Sequence, residues 1–456
     1  MNGILHPAAV TTTMSLGKFV KRLFGTAPVA ISDDPFGSKA DPIAETLAGN
    51  APAAKEPELL VRREEMLDGR SRIGGYRFEV QPLVTGAAVS APQAIAALLG
   101  EGVSRLAQRR LALIPLSVAE WNSYDFRQFV APNTVFVFDP VLLEGPAALQ
   151  SALVAARAAG AKAGLKGMPN DPAGEELVKL ADLLLLHFRD YPLEEFEVLM
   201  RHLRAACPRT AVAVGGIQSW AEQRLCLAAG AAWCLGDFAA QPDQAEQGAS
   251  IGQSRLVLLE MLNLLRKEAD LAELAAVAKR DPAVTMQVIA MANSPLSGLS
   301  GQVSGLDQAM LVLGRESLYR WLSVSLFRAG DGRERDEGLL EMALTRARFL
   351  ELSASGKSKH ESDELFLVGL FSLLDSLLGL PMAQVLAKVH LPPAVAEVLL
   401  NSGGPHGKAL MLAMALERGQ AERAASLAAA LGQEAALLAA HVAAARAWAA
   451  DALQTI

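Results

Sequence analysis

"TVFVFDPVLLEGPAALQSALVAARAAGAKAGLKG", residues 134–167, reads as strand, helix, strand. Two short apolar runs, "TVFVFD" (134–139) and "KAGLKG" (162–167), flank "GPAALQSALVAARAAG" (145–160), whose alanines and leucines fall at helical spacing. Parallel strands need a crossover of a dozen or more residues, usually a helix, so this stretch predicts parallel neighbours. The alternation continues on both sides. Further candidate strands are "RFEV" (77–80), "LALIPL" (111–116), "DLLLLHF" (182–188), "TAVAVGG" (210–216) and "AAWCLG" (231–236), with "SWAEQRLCLAAG" (219–230) as another helix. Their near-continuous apolar character suits strands covered on both faces. Seven such units predict a closed α/β, TIM-like barrel over residues 58–245.

Beyond residue 250 the pattern becomes almost wholly helical. In "DLAELAAVAKRDPAVTMQVIAMANS" (270–294) Asp281 is placed to cap a helix that Pro282 opens. The Ala/Leu-rich tail favours helix, with Gly432 as its natural break. An all-helical domain is therefore expected over 250–456. Residues 1–57, rich in Ala, Pro, Asp and Ser without sustained period, read as a flexible, disordered segment. Within it "SLGKFVKRLFG" (15–25) is basic and amphipathic, suited to a short docking helix or to contact with anionic lipid.

The chain has 456 residues, 51% hydrophobic and 20% charged, with a formal net charge of −7. That charge gives no sign of a nucleic-acid partner, for which a basic patch is the usual footprint. Its three cysteines, Cys207, Cys226 and Cys234, form neither a disulfide framework nor a C-x-x-C zinc pair. No apolar run approaches the roughly twenty residues of a transmembrane segment. A cytoplasmic protein with no metal and no bound cofactor is expected.

Motifs that carry chemistry are sparse. In "IGGYRFEV" (73–80) a glycine turn hands over to an alternating strand, and Glu79 at its tip raises the question of a metal ligand. Gly215 and Gly216, ahead of a helix, could hold a phosphate, as in barrel enzymes that bind one on a turn and a helix N-terminus. His187 ends a four-leucine strand and serves either as a hydrogen-bonded strand end or as a catalytic group. Lys166 and Arg77, if both enter the barrel mouth, could contact an anion.

Residues 274–324, "LAAVAKRDPAVTMQVIAMANSPLSGLSGQVSGLDQAMLVLGRESLYRWLSV", resemble an HDOD domain, and "RARFLELSA" with "DELFLVGLFSLLDSLLGLPMAQVLAKVHLPPAVAEVLL" resembles the form found behind EAL domains. The resemblance covers most of 255–420 and implies kinship to metal-dependent HD phosphohydrolases. Where those enzymes carry their His-Asp pair, "GLFSLLDS" places Ser372 and Leu373, with Asp375 as the one nearby carboxylate. A binuclear centre needs convergent imidazoles and carboxylates, so this half is not expected to hydrolyse.

Residues 61–80, "VRREEMLDGRSRIGGYRFEV", are similar to the opening strand, hairpin and second strand of EAL-domain cyclic di-GMP phosphodiesterases. In that alignment the EAL motif falls on Arg77-Phe78-Glu79, so its ligand glutamate would be Arg77. The resemblance further places Glu64 at a substrate-contacting glutamine and Pro115 at an asparagine ligand. It places Phe138, or Asp139 one residue on, at a glutamate, Lys166 and Gly167 at paired aspartates, and Leu185 and His187 at a lysine and an aspartate. Gly215 and Gln218 fall at two glutamates, and Leu235 at a glutamine, while Gly236 is kept. Cations at Arg77 and Lys166 would oppose a dication by several kcal/mol. The resemblance therefore implies a non-catalytic signalling scaffold with other signalling or regulatory proteins as partners. A metal-independent sensor of cyclic di-GMP or another nucleotide is the alternative, and a barrel enzyme using the Gly-Gly turn the second. Glu79, sharing a strand face with Arg77, is expected in an Arg–Glu pair.

Overall fold

The computed structural model describes residues 58–454 except 84–87, 141–144, 169–173, 247–249, 294–302, 330–333 and 355; the segment expected to be disordered, 1–57, falls outside them. Eight strands close a barrel in sequence order: β1 (Leu59–Leu67), β2 (Ile73–Pro82), β3 (Leu111–Leu116), β4 (Thr134–Phe138), β5 (Lys162–Lys166), β6 (Leu183–His187), β7 (Ala211–Gly215) and β8 (Trp233–Leu235). From β2 to β8 the neighbours are parallel, as the strand–helix alternation predicts. The barrel departs from the all-parallel plan in one strand, β1, which runs antiparallel to both β2 and β8.

A tight turn reverses the chain between β1 and β2. The Asp68 carboxylate accepts from the backbone amides of Arg70 at 2.8 Å and Arg72 at 3.0 Å. Gly74 and Gly75 lie inside β2, not in this turn, which corrects the expectation of a glycine turn at 73–75. A side chain at Gly74 would meet the Trp233 ring at 2.2 Å, and one at Gly75 would meet Leu111 at 2.5 Å. The glycines let β2 pass close to β8 and β3.

Alternate residues enter the barrel, where Met66, Leu113, Val135, Val137, Leu183, Leu185, Ala213 and Leu235 form an apolar plug. Residues of opposite parity, such as Phe78, Phe136, Phe138 and Leu184, pack outward beneath the barrel helices. A turn rather than a helix joins β1 to β2, so no crossover helix follows β1. The helical half contributes to covering that outward face: Arg446 of the terminal helix Ala435–Gln454 donates to the Val61 carbonyl at 2.9 Å, and Leu60 and Leu83 join the core of the bundle.

Closure between β1 and β8 is brief, resting on Met66 opposite Leu235 and Leu67 opposite Cys234. At Gly236 (φ 150°) the chain leaves the sheet, and a Cβ there would lie 1.9 Å from the Ile217 carbonyl oxygen. Arg62, Arg63, Glu64 and Glu65 of β1 consequently border a slot in the barrel wall, with no β8 partner.

The C-terminal half is helical throughout its described residues, and residues past 389 pack into the same core as those before. Asp281 accepts from the amides of Ala283 and Val284, with Pro282 in the first turn, as its sequence predicts. Gly432 (φ 67°) separates the last two helices. Among the described residues no single helix is long and apolar enough to cross a membrane.

Candidate functional site

At the barrel mouth the charged side chains are drawn to one another. Arg77 meets Glu64, directly opposite on β1, at 2.7 Å, so its carboxylate partner is Glu64 and not the expected Glu79. Glu79 instead lies 3.6 Å from Arg62. Across the mouth Lys166 donates to Asp139 at 2.9 Å. Phe138 is fully buried and packs edge-on to Trp121, so Asp139, not Phe138, continues the inward row of Val135 and Val137. Pro115 is exposed at its strand end, Leu185 belongs to the apolar plug, and Leu235 closes it. Gly167 (φ 75°) donates its amide to the Leu185 carbonyl at 2.7 Å. Asp139, Lys166 and His187 stand at the C-terminal ends of β4, β5 and β6, and among the described residues no group of three or more His, Cys, Asp or Glu is placed to hold a metal.

The Gly-Gly turn is occupied by the protein's own groups. A Cβ on Gly216 (φ 76°) would lie 2.4 Å from His187 Nε2, so that imidazole lies close against the turn. His187 also approaches Asp190 at 3.3 Å. At the start of the following helix the Gln218 amide donates to Glu222 at 2.8 Å, placing a carboxylate where a phosphate would be received. Arg189 closes over the same corner, donating to Gln218 at 3.1 Å and to Glu222 at 2.6 Å.

In the bundle, Ser372 and Leu373 occupy the break between the helices Lys359–Phe371 and Leu374–Leu378. Arg346, from the helix Glu334–Leu352, reaches this break and donates to Ser372 Oγ at 2.7 Å. It also grips Glu417 through two bonds, at 2.8 and 2.6 Å. Leu373 is buried, and Asp375 accepts from the Ser376 amide at 2.7 Å; burial raises its carboxyl above the ordinary range. A guanidinium thus stands beside the two positions that the resemblance aligns with a His-Asp pair.

The mouth and this break open into one cavity of about 330 Å³ between the two halves. Arg62, Glu64 and Gly236 line it from the barrel, Arg346, Ser372 and Glu417 from the bundle. Its far wall is a buried ionic knot. Glu341, on the Glu334–Leu352 helix, accepts from Arg63 at 2.9 Å, from Arg110 at 2.7 Å and from the Tyr76 hydroxyl, while Arg63 stacks 3.6 Å over the Tyr76 ring. Burial would raise the Glu341 carboxyl, but the Arg110 and Arg63 charges together outweigh it and hold it below its ordinary value. Sequence reading did not find Glu341, Arg346 or Glu417. For Glu341 and Arg346 the available signal was charge set among the apolar residues of "LLEMALTRARFLEL" (339–352), in a helix that the fold buries on nearly every side.

Glu65 borders the same cavity. Burial pushes its carboxyl up to about 7, against the milder pull of Arg63 and Arg446, while Glu417 adds to the rise. In the unfolded chain it ionises near 4.5, so the folded state holds the extra proton between those values. Stability therefore falls as pH rises from about 4.5 through about 7, by roughly 3 kcal/mol. Glu65→Gln is expected to flatten that slope, matching the parent at pH ~5 and exceeding it at about 8; urea unfolding across this range measures it.

Comparison with known proteins assigns the helical half: residues 254–389 match the HDOD domain. Among curated proteins the chain is similar to the uncharacterized protein YuxH of Bacillus subtilis, 27% identical over 161 residues, covering 35% of this chain and 39% of that one. It is also similar to the cyclic di-GMP phosphodiesterase CdgJ of Vibrio cholerae, 25% identical over 191 residues, covering 42% and 44% respectively. The chain spans about two-fifths of the length of the curated relatives it matches. Among solved structures, the FimX EAL domain of Pseudomonas aeruginosa bound to c-di-GMP aligns at TM-score 0.33 with 12% identity, covering 41% of this chain and 91% of that one. The class is an α/β barrel joined to an HDOD domain. The HDOD match and the likeness to CdgJ together support an EAL-plus-HDOD architecture.

Proposed function

We propose that this chain is a non-hydrolysing signalling protein, its EAL-type barrel and HDOD domain together forming a surface for regulatory protein partners. The observation that carries the reading is the Arg77–Glu64 pair at 2.7 Å: the strand position aligned with a ligand glutamate presents a guanidinium, and the adjacent carboxylate neutralises it. A dication brought there would meet a cation and would have to break that pair. The Arg346 guanidinium beside Ser372 has the same consequence in the bundle. Exposed Met286 and Leu311 on the HDOD surface supply apolar contact area for such partners.

Purified protein incubated with cyclic di-GMP and magnesium or manganese is expected to yield no linear dinucleotide. Metal-dependent turnover, abolished by chelation, would overturn the reading. Calorimetry on the same samples addresses the sensor alternative: binding that survives chelation and is lost in Arg77→Glu would reassign the barrel to nucleotide sensing.

A further inference from the structure

The slot between β1 and β8 has an uneven electrostatic economy. Of its carboxylates, Glu64 pairs with Arg77 at 2.7 Å through an Oε2 that makes no directed hydrogen bond, Glu341 is held by Arg63 and Arg110, and Glu417 by Arg346. Arg446 is held by Glu101 at 3.0 Å. Two guanidinium groups on the cavity wall are held only loosely. Arg62 lies 3.6 Å from both Glu64 and Glu79, and its buried Nε has no hydrogen-bond partner. Arg418 comes no nearer than 3.8 Å to Asp237. Beside Arg62, the buried Gln81 Nε2 also lacks a partner.

The fold brings these donors together. Arg62 and Gln81 sit on the paired strands β1 and β2, where Leu60 faces Gln81 and Arg62 faces Glu79. Gly419 (φ 67°) ends the Gly407–Glu417 helix against them: a Cβ there would lie 2.6 Å from Arg62 Cδ and 3.1 Å from Gln81 Nε2. Arg418, one residue earlier, is thereby set at the rim. Unsatisfied buried donors are costly, and a phosphate or carboxylate oxygen accepts from guanidinium groups with charge-assisted strength. The same cavity that Arg62 and Arg418 line also carries adaptable apolar side chains, Met342, Leu373, Met382, Leu410 and Met414.

We propose that this slot binds a small organic anion, its oxyanion head held by Arg62 and Arg418 and its apolar body lying against the methionines between barrel and bundle. At about 330 Å³ the cavity sits at the low end of small-molecule sites, which run from about 300 to 1,000 Å³, so it suits a compound well below a cyclic dinucleotide in size. The ligand would touch both halves and report its occupancy to both. This assignment is independent of whether the mouth hydrolyses or senses a nucleotide.

Octyl phosphate, octanoate and octanol, which share a body and differ in head, test it by calorimetry on the full chain. At least one of the two anions is expected to bind at one site with Kd below about 1 mM, and octanol at least tenfold more weakly (~). The stronger anion identifies the head as phosphate or carboxylate. Arg62→Gln and Arg418→Gln are each expected to weaken that binding about tenfold, corresponding to about 1.4 kcal/mol. Arg418 is partly exposed and less buried than Arg62, so its substitution serves if Arg62→Gln fails to fold in urea unfolding. Absence of saturable binding by both anions, equal binding of octanol, or binding unchanged in Arg418→Gln would each overturn the proposal.

Discussion

Glu341→Ala is expected to destabilise the protein by about 3–5 kcal/mol, because it strips a buried carboxylate from two guanidinium groups and a tyrosine hydroxyl. The loss has two parts. The knot joins β1, β2 and Arg110 of the barrel to the Glu334–Leu352 helix of the HDOD half, so removing its centre unties the domains. It also leaves the nearly buried Arg63 side chain without its carboxylate, and desolvating an unpaired charge costs more than the pair gains. Denaturant unfolding measures the change. Glu334→Ala is the control: its partners Arg70 and Arg72 are largely exposed at 3.5 Å, and a change under about 1 kcal/mol is expected. Because Glu341 titrates below its ordinary value, its contribution is present above that value and lost as pH falls through the lowered one. Glu65 works in the opposite direction. An equal, small effect of both alanine substitutions would show that the two halves do not depend on this contact.

Gly369→Val is expected to cost at least about 3 kcal/mol, through overpacking rather than lost charge. A Cβ at Gly369 would lie 2.4 Å from Ala347 Cα and 2.5 Å from its amide nitrogen, so the helices Glu334–Leu352 and Lys359–Phe371 touch backbone to backbone there. No rotamer relieves a clash that begins at Cβ. The helices must separate, and that moves Arg346 away from Ser372, whose hydroxyl donates to the Gly369 carbonyl at 2.7 Å. Thermal and denaturant unfolding measure the cost. A Gly369→Val protein as stable as its parent would mean that the close approach is absent in solution.

Much of the architecture was legible along the chain because it is written in local periods. "TVFVFD", "KAGLKG" and "TAVAVGG" became β4, β5 and β7 within a residue or two, since a covered strand requires an apolar run and its crossover requires a helix. Asp281-Pro282 and Gly432 marked helix ends because capping and left-handed backbone depend on single residues. The reversed β1 was legible only through its likeness to a family, for a strand of "LLVRREEML" has no period to separate parallel from antiparallel.

The barrel-mouth residues were legible as positions but not as pairs. Strand alternation puts Arg77 and Glu79 on one face, yet the antiparallel register sets Glu64 opposite Arg77, and a cross-strand neighbour stands closer than the next inward residue of the same strand. The Glu341 knot and the slot lay further out of reach, since Arg63 and Glu341 are 278 residues apart. Sequence alone determined which segments are strands and which are helices, and the resemblance to a family added the expectation that its ligand residues are replaced. The tertiary structure alone decided which charges neutralise one another and where two guanidinium groups remain loosely held. Secondary structure follows from neighbours three or four residues away, whereas electrostatic pairing is set by whichever group folding brings within about 4 Å.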